Sequence, residues 1–264
     1  MDIATLIGLL IGIAGLVGGF LLEGGTAGML WVHTAFIIVV GGTIGATIIG
    51  YSMDELKKMG YFFKLVFNDK RIDYLSVLET LVETADKARR EGLLSLESQL
   101  AEIDSPFMAR GLQLVIDGTD PELTRSMLEM EIEAFEKEEL VGSQIFMTAG
   151  GFAPTMGIIG TVMGLVHVLS NLTDPDQLAG AIAVAFLATL YGVASANVIW
   201  IPFGTKCKMK ANKQVLLMEL ILEGVLSIQA GENPRVIREK LMTFLPTDIR
   251  KASDEQQKKL EMGM

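Results

Sequence analysis

A chain of 264 residues that is 50% apolar, with a mean hydropathy of +0.42, is not composed like a water-soluble domain. Its net charge of −10 excludes a nucleic-acid surface, which needs a basic face. A single cysteine, Cys207, rules out an internal disulfide framework and a multi-cysteine metal centre. No phosphate-loop, dinucleotide-binding or zinc-protease motif occurs, so no cofactor, no metal and no enzymatic chemistry are expected.

A bilayer core takes about 20 apolar residues per helix. Four runs free of Asp, Glu, Lys and Arg reach that length: 3–22, 24–53 (interrupted by His33), 141–173 and 177–205. The first has no positive stretch before it and no clear cleavage site, and reads as a retained membrane helix rather than a signal peptide. It carries Gly8, Gly12, Gly15 and Gly19 along one face. The second carries Gly41 and Gly45, or Gly42, Ala46 and Gly50, with Thr43 and Thr47 as its only candidate ligands. Packing accounts for both stripes.

Residues 54–140 hold 20 acidic and 11 basic side chains, the signature of a solvated, interactive region. Leu75, Leu78, Leu81, Val82 and Ala85 recur at helical spacing. The stretch Ala88-Arg89-Arg90-Glu91-Gly92-Leu93-Leu94-Ser95-Leu96-Glu97 places charges around a helix end at Gly92. It is either a solvated corner or a docking site for a complementary partner. Asp120 is an N-cap candidate before Pro121, and the helix they open runs through an acidic stretch towards the third apolar run.

In the third run Gly150, Pro154, Gly157, Thr161 and Gly164 fall on one face. In the fourth Ala181, Ala185, Ala188, Gly192 and Ser195 repeat that spacing, with Thr189 beside the stripe. Such faces admit a close helix. Pro154 and Pro202 deny the carbonyls of Gly150 and Val198 their usual donors. Two readings stand: packing seams, or one wall of an ion path whose charged group belongs to a partner. His33 and His167 read as interfacial or core residues, and Cys207 as inert. The span after the fourth run, 209–229, continues as an amphipathic helix to a stop at Gly231-Glu232-Asn233-Pro234. A short helix over 234–245 follows, then a polar, frayed tail from 248.

Lysine and arginine orient the chain. Lys57, Lys58, Lys64, Lys70 and Arg71 follow the second run, and Lys206, Lys208, Lys210 and Lys213 the fourth, while the other two connections carry none. Both termini and the middle section are therefore expected in the cytoplasm. No strand-like alternation is sustained, so the class is all-α: an integral membrane protein with four transmembrane helices and a helical cytoplasmic insertion. The expected domains are 1–53 and 141–205 in the membrane, with 54–140 and 206–264 in the cytoplasm.

The segments Ala153-Pro154-Thr155-Met156-Gly157-Ile158-Ile159-Gly160-Thr161-Val162-Met163-Gly164-Leu165 and Ala188-Thr189-Leu190-Tyr191-Gly192 resemble the third and fourth helices of bacterial flagellar motor stator A subunits, the MotA/PomA family of the MotA/TolQ/ExbB proton channel superfamily. Val40-Gly41-Gly42-Thr43-Ile44-Gly45-Ala46, the Arg89–Glu97 stretch, and Gly231-Glu232-Asn233-Pro234 with Lys240-Leu241 extend the likeness over nearly the whole chain. The resemblance implies a homo-pentameric ring in the bacterial inner membrane, in contact with lipid. The ring surrounds a peptidoglycan-anchored B subunit that supplies the ion-accepting aspartate. It implies an ion pathway at Thr161, Thr189, Pro154, Gly157 and Tyr191, and conformational coupling at Pro154 and Pro202. It also implies contact with the rotor switch protein at Arg89, Arg90 and Glu97. Proton-driven members often carry alanine where Thr161 stands and sodium-driven members threonine, so Thr161 points to sodium, although a hydroxyl can equally hold a water on a proton path. The competing readings are a TolQ- or ExbB-like energy transducer, whose three membrane helices and outer amino terminus fit this chain less well, and a stand-alone channel, which would need its own intramembrane charge.

Overall fold

The computed structural model describes residues 2–69, 72–170, 175–247 and 249–251, with backbone only for 175–179 and 181. All regular structure among these residues is helical. In chain order the helices are α1 (Ile3–Leu22), α2 (33–49), α3 (Met53–Lys57), α4 (Met59–Phe67), α5 (Tyr74–Glu91), α6 (Pro106–Ile116), α7 (Pro121–Ser170), α8 (175–229) and α9 (Pro234–Met242). Two 3-10 segments, Ala27–Leu30 and Leu93–Glu102, join them. Four of the helical stretches are long and apolar enough to cross a membrane. The charged tail from 252 and the flanking Lys70 and Arg71 lie outside the described residues.

The chain divides into two compact units, residues 1–70 with 138–210 and residues 71–137 with 211–264. In the first, α1 is apolar all round and none of its residues is buried within the chain. That pattern is stable only where lipid or another subunit covers it. In α2 the buried residues Ala35, Val39, Thr43 and Thr47 are spaced by four, so one row faces the other helices. A π turn over Ile37–Gly41 interrupts it. Helix α7 runs 50 residues without a break, about 75 Å at 1.5 Å per residue, more than twice the depth of a bilayer core. Asp120 opens it as its sequence suggests, its carboxylate accepting from the N–H groups of Glu122 and Leu123.

The segment 54–69 groups with the membrane helices although its charge resembles that of the insertion that follows. Ser52 and Glu55 form a reciprocal capping box that starts α3. In α4, Phe62 and Val66 are fully buried with Phe146, Phe203 and Cys207. Phe62 lies so close over Gly142 that an added Cβ there would sit 2.3 Å from its ring. The Lys210 ammonium donates to the carbonyls of Leu65 at 2.6 Å and of Asn68, closing the carboxyl end of α4 with a positive charge. Lys206 pairs with Asp2 at 2.5 Å, and the Asp2 carboxylate also caps α1 through the Thr5 N–H. Asp2 is only 8% exposed, and the lysine hydrogen bond holds its carboxyl down at about 2.

In the second unit, Leu78 and Leu81 of α5, Leu112 of α6, Leu128 of α7, Ile221 and Val225 of α8 and Ile237 and Leu241 of α9 form one core. Gly224 lies close under Leu81, whose side chain would have to shift from an added Cβ 2.6 Å away. The turn into α9 is built by Gly231 at φ +69°, by Asn233, which accepts from the Arg235 N–H, and by Pro234 at the first helical position. Lys240 of α9 reaches Glu223 at 2.5 Å and Glu232 at 3.5 Å. Burial lowers its proton affinity, but these two carboxylates outweigh that and raise it above the ordinary lysine value.

Candidate functional site

The two small-residue stripes face each other. At Gly192 an added Cβ would lie 2.4 Å from the Ala153 carbonyl oxygen and 3.1 Å from the Gly157 Cα. At Gly157 it would lie 2.8 Å from the Ala188 oxygen, at Gly160 2.7 Å from the Ala188 Cβ, and at Gly164 2.6 Å from the Ala185 Cβ. So α7 and α8 meet backbone to backbone, which is what glycine and alanine on both faces permit. The packing reading of the stripes is therefore correct for the seam itself. The Ala181 side chain, the first of its stripe, lies outside the described residues.

Two hydroxyls sit in this seam. Thr161 Oγ1 and Thr189 Oγ1 are 2.6 Å apart, both half-buried. Thr161 Oγ1 also lies 2.9 Å from the Ala185 carbonyl and 3.1 Å from that of Gly157, and Thr189 Oγ1 3.4 Å from the Gly157 carbonyl. Each hydroxyl has one hydrogen. The shortest set of bonds has Thr189 donating to Thr161 and Thr161 donating to the Ala185 carbonyl. This leaves the lone pairs of the Thr189 oxygen open to a cation or to a water hydrogen. The spans around the pair hold no Asp, Glu, Lys or Arg from 141 to 170 and from 182 to 205. Uncharged oxygens hold an ion through their dipoles alone.

Of the other residues singled out in the sequence, Gly157 belongs to this cluster through its carbonyl. Pro154 lies one turn earlier in α7, half-buried. Tyr191 is two residues from Thr189, but its hydroxyl is taken up by the backbone before α2. It accepts from the Val32 N–H at 2.9 Å and donates to the Leu30 carbonyl. Pro202 is exposed and lies two residues beyond a π turn, Ala196–Trp200, in which the Ile201 N–H reaches back five residues to the Ala196 carbonyl. The missing proline donor is accommodated by this change of register. Both histidines are exposed, His33 standing edge-on to Trp31. Cys207 is fully buried, its sulfur 4.0 Å from the Phe62 carbonyl, which agrees with an inert thiol. A second hydroxyl pair, Tyr51 with Thr148 at 2.8 Å, and the Asp2–Lys206 pair escaped the sequence reading, because partners 97 and 204 residues apart leave no local pattern.

Arg89, Arg90 and Glu97 lie in the second unit around Gly92, whose φ of +86° ends α5. All three are exposed. Arg90 pairs with Asp86 one turn back at 2.6 Å, whereas Arg89 and Glu97 form no ion pair with a described residue.

The fold and site define an all-helical, multi-span membrane protein that holds two paired hydroxyls, and no fixed charge, at the meeting of its last two spans. Residues 99–220 match the model of the MotA/TolQ/ExbB proton channel family, and residues 6–92 that of the motility protein A N-terminal region. Motility protein A of Bacillus subtilis is 38% identical over 95% of this chain and 93% of its own length. The chemotaxis protein PomA of Vibrio alginolyticus is 38% identical over 93% and 96%. Among solved structures, the flagellar MotAB stator complex of Bacillus subtilis superposes with a TM-score of 0.88 at 37% identity, covering 94% of this chain and 98% of that one. The C. jejuni MotAB structure gives 0.89 at 30% identity, covering 94% and 97%. The chain belongs to the motility protein A family, and is a multi-pass protein of the inner membrane.

Proposed function

We infer that this chain is the A subunit of a flagellar motor stator. With a B subunit it forms an ion-conducting complex that converts a transmembrane ion-motive force into torque on the flagellar rotor. One observation carries the reading: the Thr161–Thr189 pair sits in spans that contain no carboxylate, so the titrating group of an ion path must come from a partner. In this reading Thr161, Thr189 and the Gly157 carbonyl line the path, and Pro154 and Tyr191 set the backbone around it. Pro154 and Pro202 are the points of flexure that couple ion passage to movement. Arg89, Arg90 and Glu97 touch the rotor switch protein. Five copies surround the B subunit, with both termini in the cytoplasm beside the lysines that follow the second and fourth spans. The hydroxyl of Thr161 adds an oxygen where a methyl would add none, which points to sodium as the coupling ion, while the same oxygen can equally hold a water on a proton path.

A TolQ- or ExbB-like role is disfavoured by the amino-terminal match to motility protein A over residues 6–92. A stand-alone channel is disfavoured by the uncharged spans. The test is ion flux in proteoliposomes. The chain alone should leak no faster than empty vesicles, and the complex co-expressed with a B subunit should conduct only while the partner's membrane carboxylate is intact. Conduction by the chain alone would refute the assignment.

A further inference from the structure

The corner that holds Arg89, Arg90 and Glu97 also presents a leucine to solvent. Leu94 is 74% exposed, the most exposed large hydrophobic side chain among the described residues of its unit. Leu123, Met130 and Val236 follow at 53%, 59% and 53%. Its neighbours are placed differently. Leu96 is fully buried, and Leu93 and Leu100 pack partly against the same core. The 3-10 segment thus turns Leu93, Leu96 and Leu100 towards the core and leaves Leu94 exposed among Glu97, Ser98, Ala101 and Glu102. Side chains three apart on a 3-10 helix eclipse each other, so Leu94 shares its edge with Glu97.

The corner is also held rigidly. The Gly92 N–H closes α5 on the Ala88 carbonyl at 2.9 Å, and the Ser95 hydroxyl donates back to the Gly92 carbonyl at 2.7 Å. The Ser98 hydroxyl donates to the Ser95 carbonyl at 3.1 Å. A backbone fixed in this way loses little freedom when a partner covers it. A lone exposed leucine is ordinary on a protein surface. One projecting from a preorganised turn, with positive charge on one side and negative on the other, has the layout of an interface anchor inside a polar rim.

We propose that Leu94 is the anchor of the rotor contact, inserting into an apolar pocket on the rotor protein that is rimmed by acidic groups opposite Arg89 and Arg90 and by a basic group opposite Glu97. The proposal rests on the assignment of this corner to the rotor. The charges steer and orient the encounter, and their effect is screened by salt. The leucine holds the contact, and its effect is not screened.

The experiment uses the complex of this chain with its B subunit in nanodiscs, binding the purified rotor switch protein at low and high salt, with bead-assay torque measured in parallel. Leu94→Gln should weaken binding about tenfold or more at both salt concentrations and cut torque, with the B subunit still co-purifying. Leu94→Met, which keeps the apolar volume, should stay within about threefold of wild type. The Arg89→Glu, Arg90→Glu double reversal should weaken binding mainly at low salt. If Leu94→Gln binds normally while the double reversal fails, the leucine is a bystander and the rotor contact stands. If both bind and turn the rotor normally, the rotor assignment of the corner is itself wrong. Loss of the B subunit from the Leu94→Gln complex would overturn the proposal by showing that the leucine acts on folding.

Discussion

Replacing Gly192 by alanine tests whether the seam between α7 and α8 positions the threonine pair. The new Cβ would stand 2.4 Å from the Ala153 carbonyl oxygen, where ordinary contact begins near 3.4 Å. The opposing atoms are helix backbone and cannot rotate away, so the helices must part by about 1 Å at that level. Carried to the pair one turn away, that displacement stretches the 2.6 Å Thr161–Thr189 bond to about 3.6 Å, past hydrogen-bond reach. Overpacking costs about 1–3 kcal/mol, and an interhelical hydrogen bond in a membrane adds about 0.6 kcal/mol. The expected result is a complex that assembles, melts about 5 °C or more below wild type, and drives swimming poorly. Gly151→Ala is the control in the same span, since a Cβ there meets nothing within 4 Å in the chain. Melting temperature of the purified complex and swimming speed are the readouts. A Gly192→Ala complex that matches wild type in both would refute the close-contact argument.

Thr189→Val should abolish motility with the complex still assembled, and Thr161→Val should weaken it or alter its dependence on sodium; swimming speed against sodium concentration, with co-purification of the B subunit, measures both. Tyr191→Phe leaves the Leu30 carbonyl and the Val32 N–H without their partner, a loss of about 1–3 kcal/mol; it should lower the melting temperature while ion selectivity stays unchanged. The depressed Asp2 carboxyl contributes stability above the unfolded aspartate value near 4 and loses it as pH falls through about 2. Amide exchange in the first turn of α1 should therefore be flat from about pH 5 to 8 once corrected for intrinsic rates, and Asp2→Asn should accelerate it throughout that range.

The sequence told which faces would pack but not what would pack on them. Helical period alone put Gly150, Gly157 and Gly164 in one row and Ala185, Ala188 and Gly192 in another, and both rows are real. That each is the other's partner depends on how the chain returns across the membrane, which no local spacing records. Pro202 was legible as a break, whereas the π turn that relieves it is a cooperative choice of hydrogen-bond register over five residues. The segment 54–69 shares the charge of the insertion that follows it, and charge alone does not show which helices it packs on. Phe62 and Val66, one turn apart, carry the apolar signal for its packing with Phe146 and Phe203. For Tyr191 the sequence indicated the neighbourhood of Thr189, and only the three-dimensional contact with Leu30 and Val32 reveals where its hydroxyl is spent.

The paired threonines are already satisfied when nothing else is present. Both of their hydrogens are engaged, one across the seam and one on a backbone carbonyl. The lone pairs of the Thr189 oxygen stay open, so on the proposed path a cation or a water hydrogen is taken up there without breaking either bond. With no charged group in the spans around it, the pair holds such a guest through oxygen dipoles alone. On the proposed path the pair keeps the same two bonds with and without a guest, so passage asks for no rearrangement at this point.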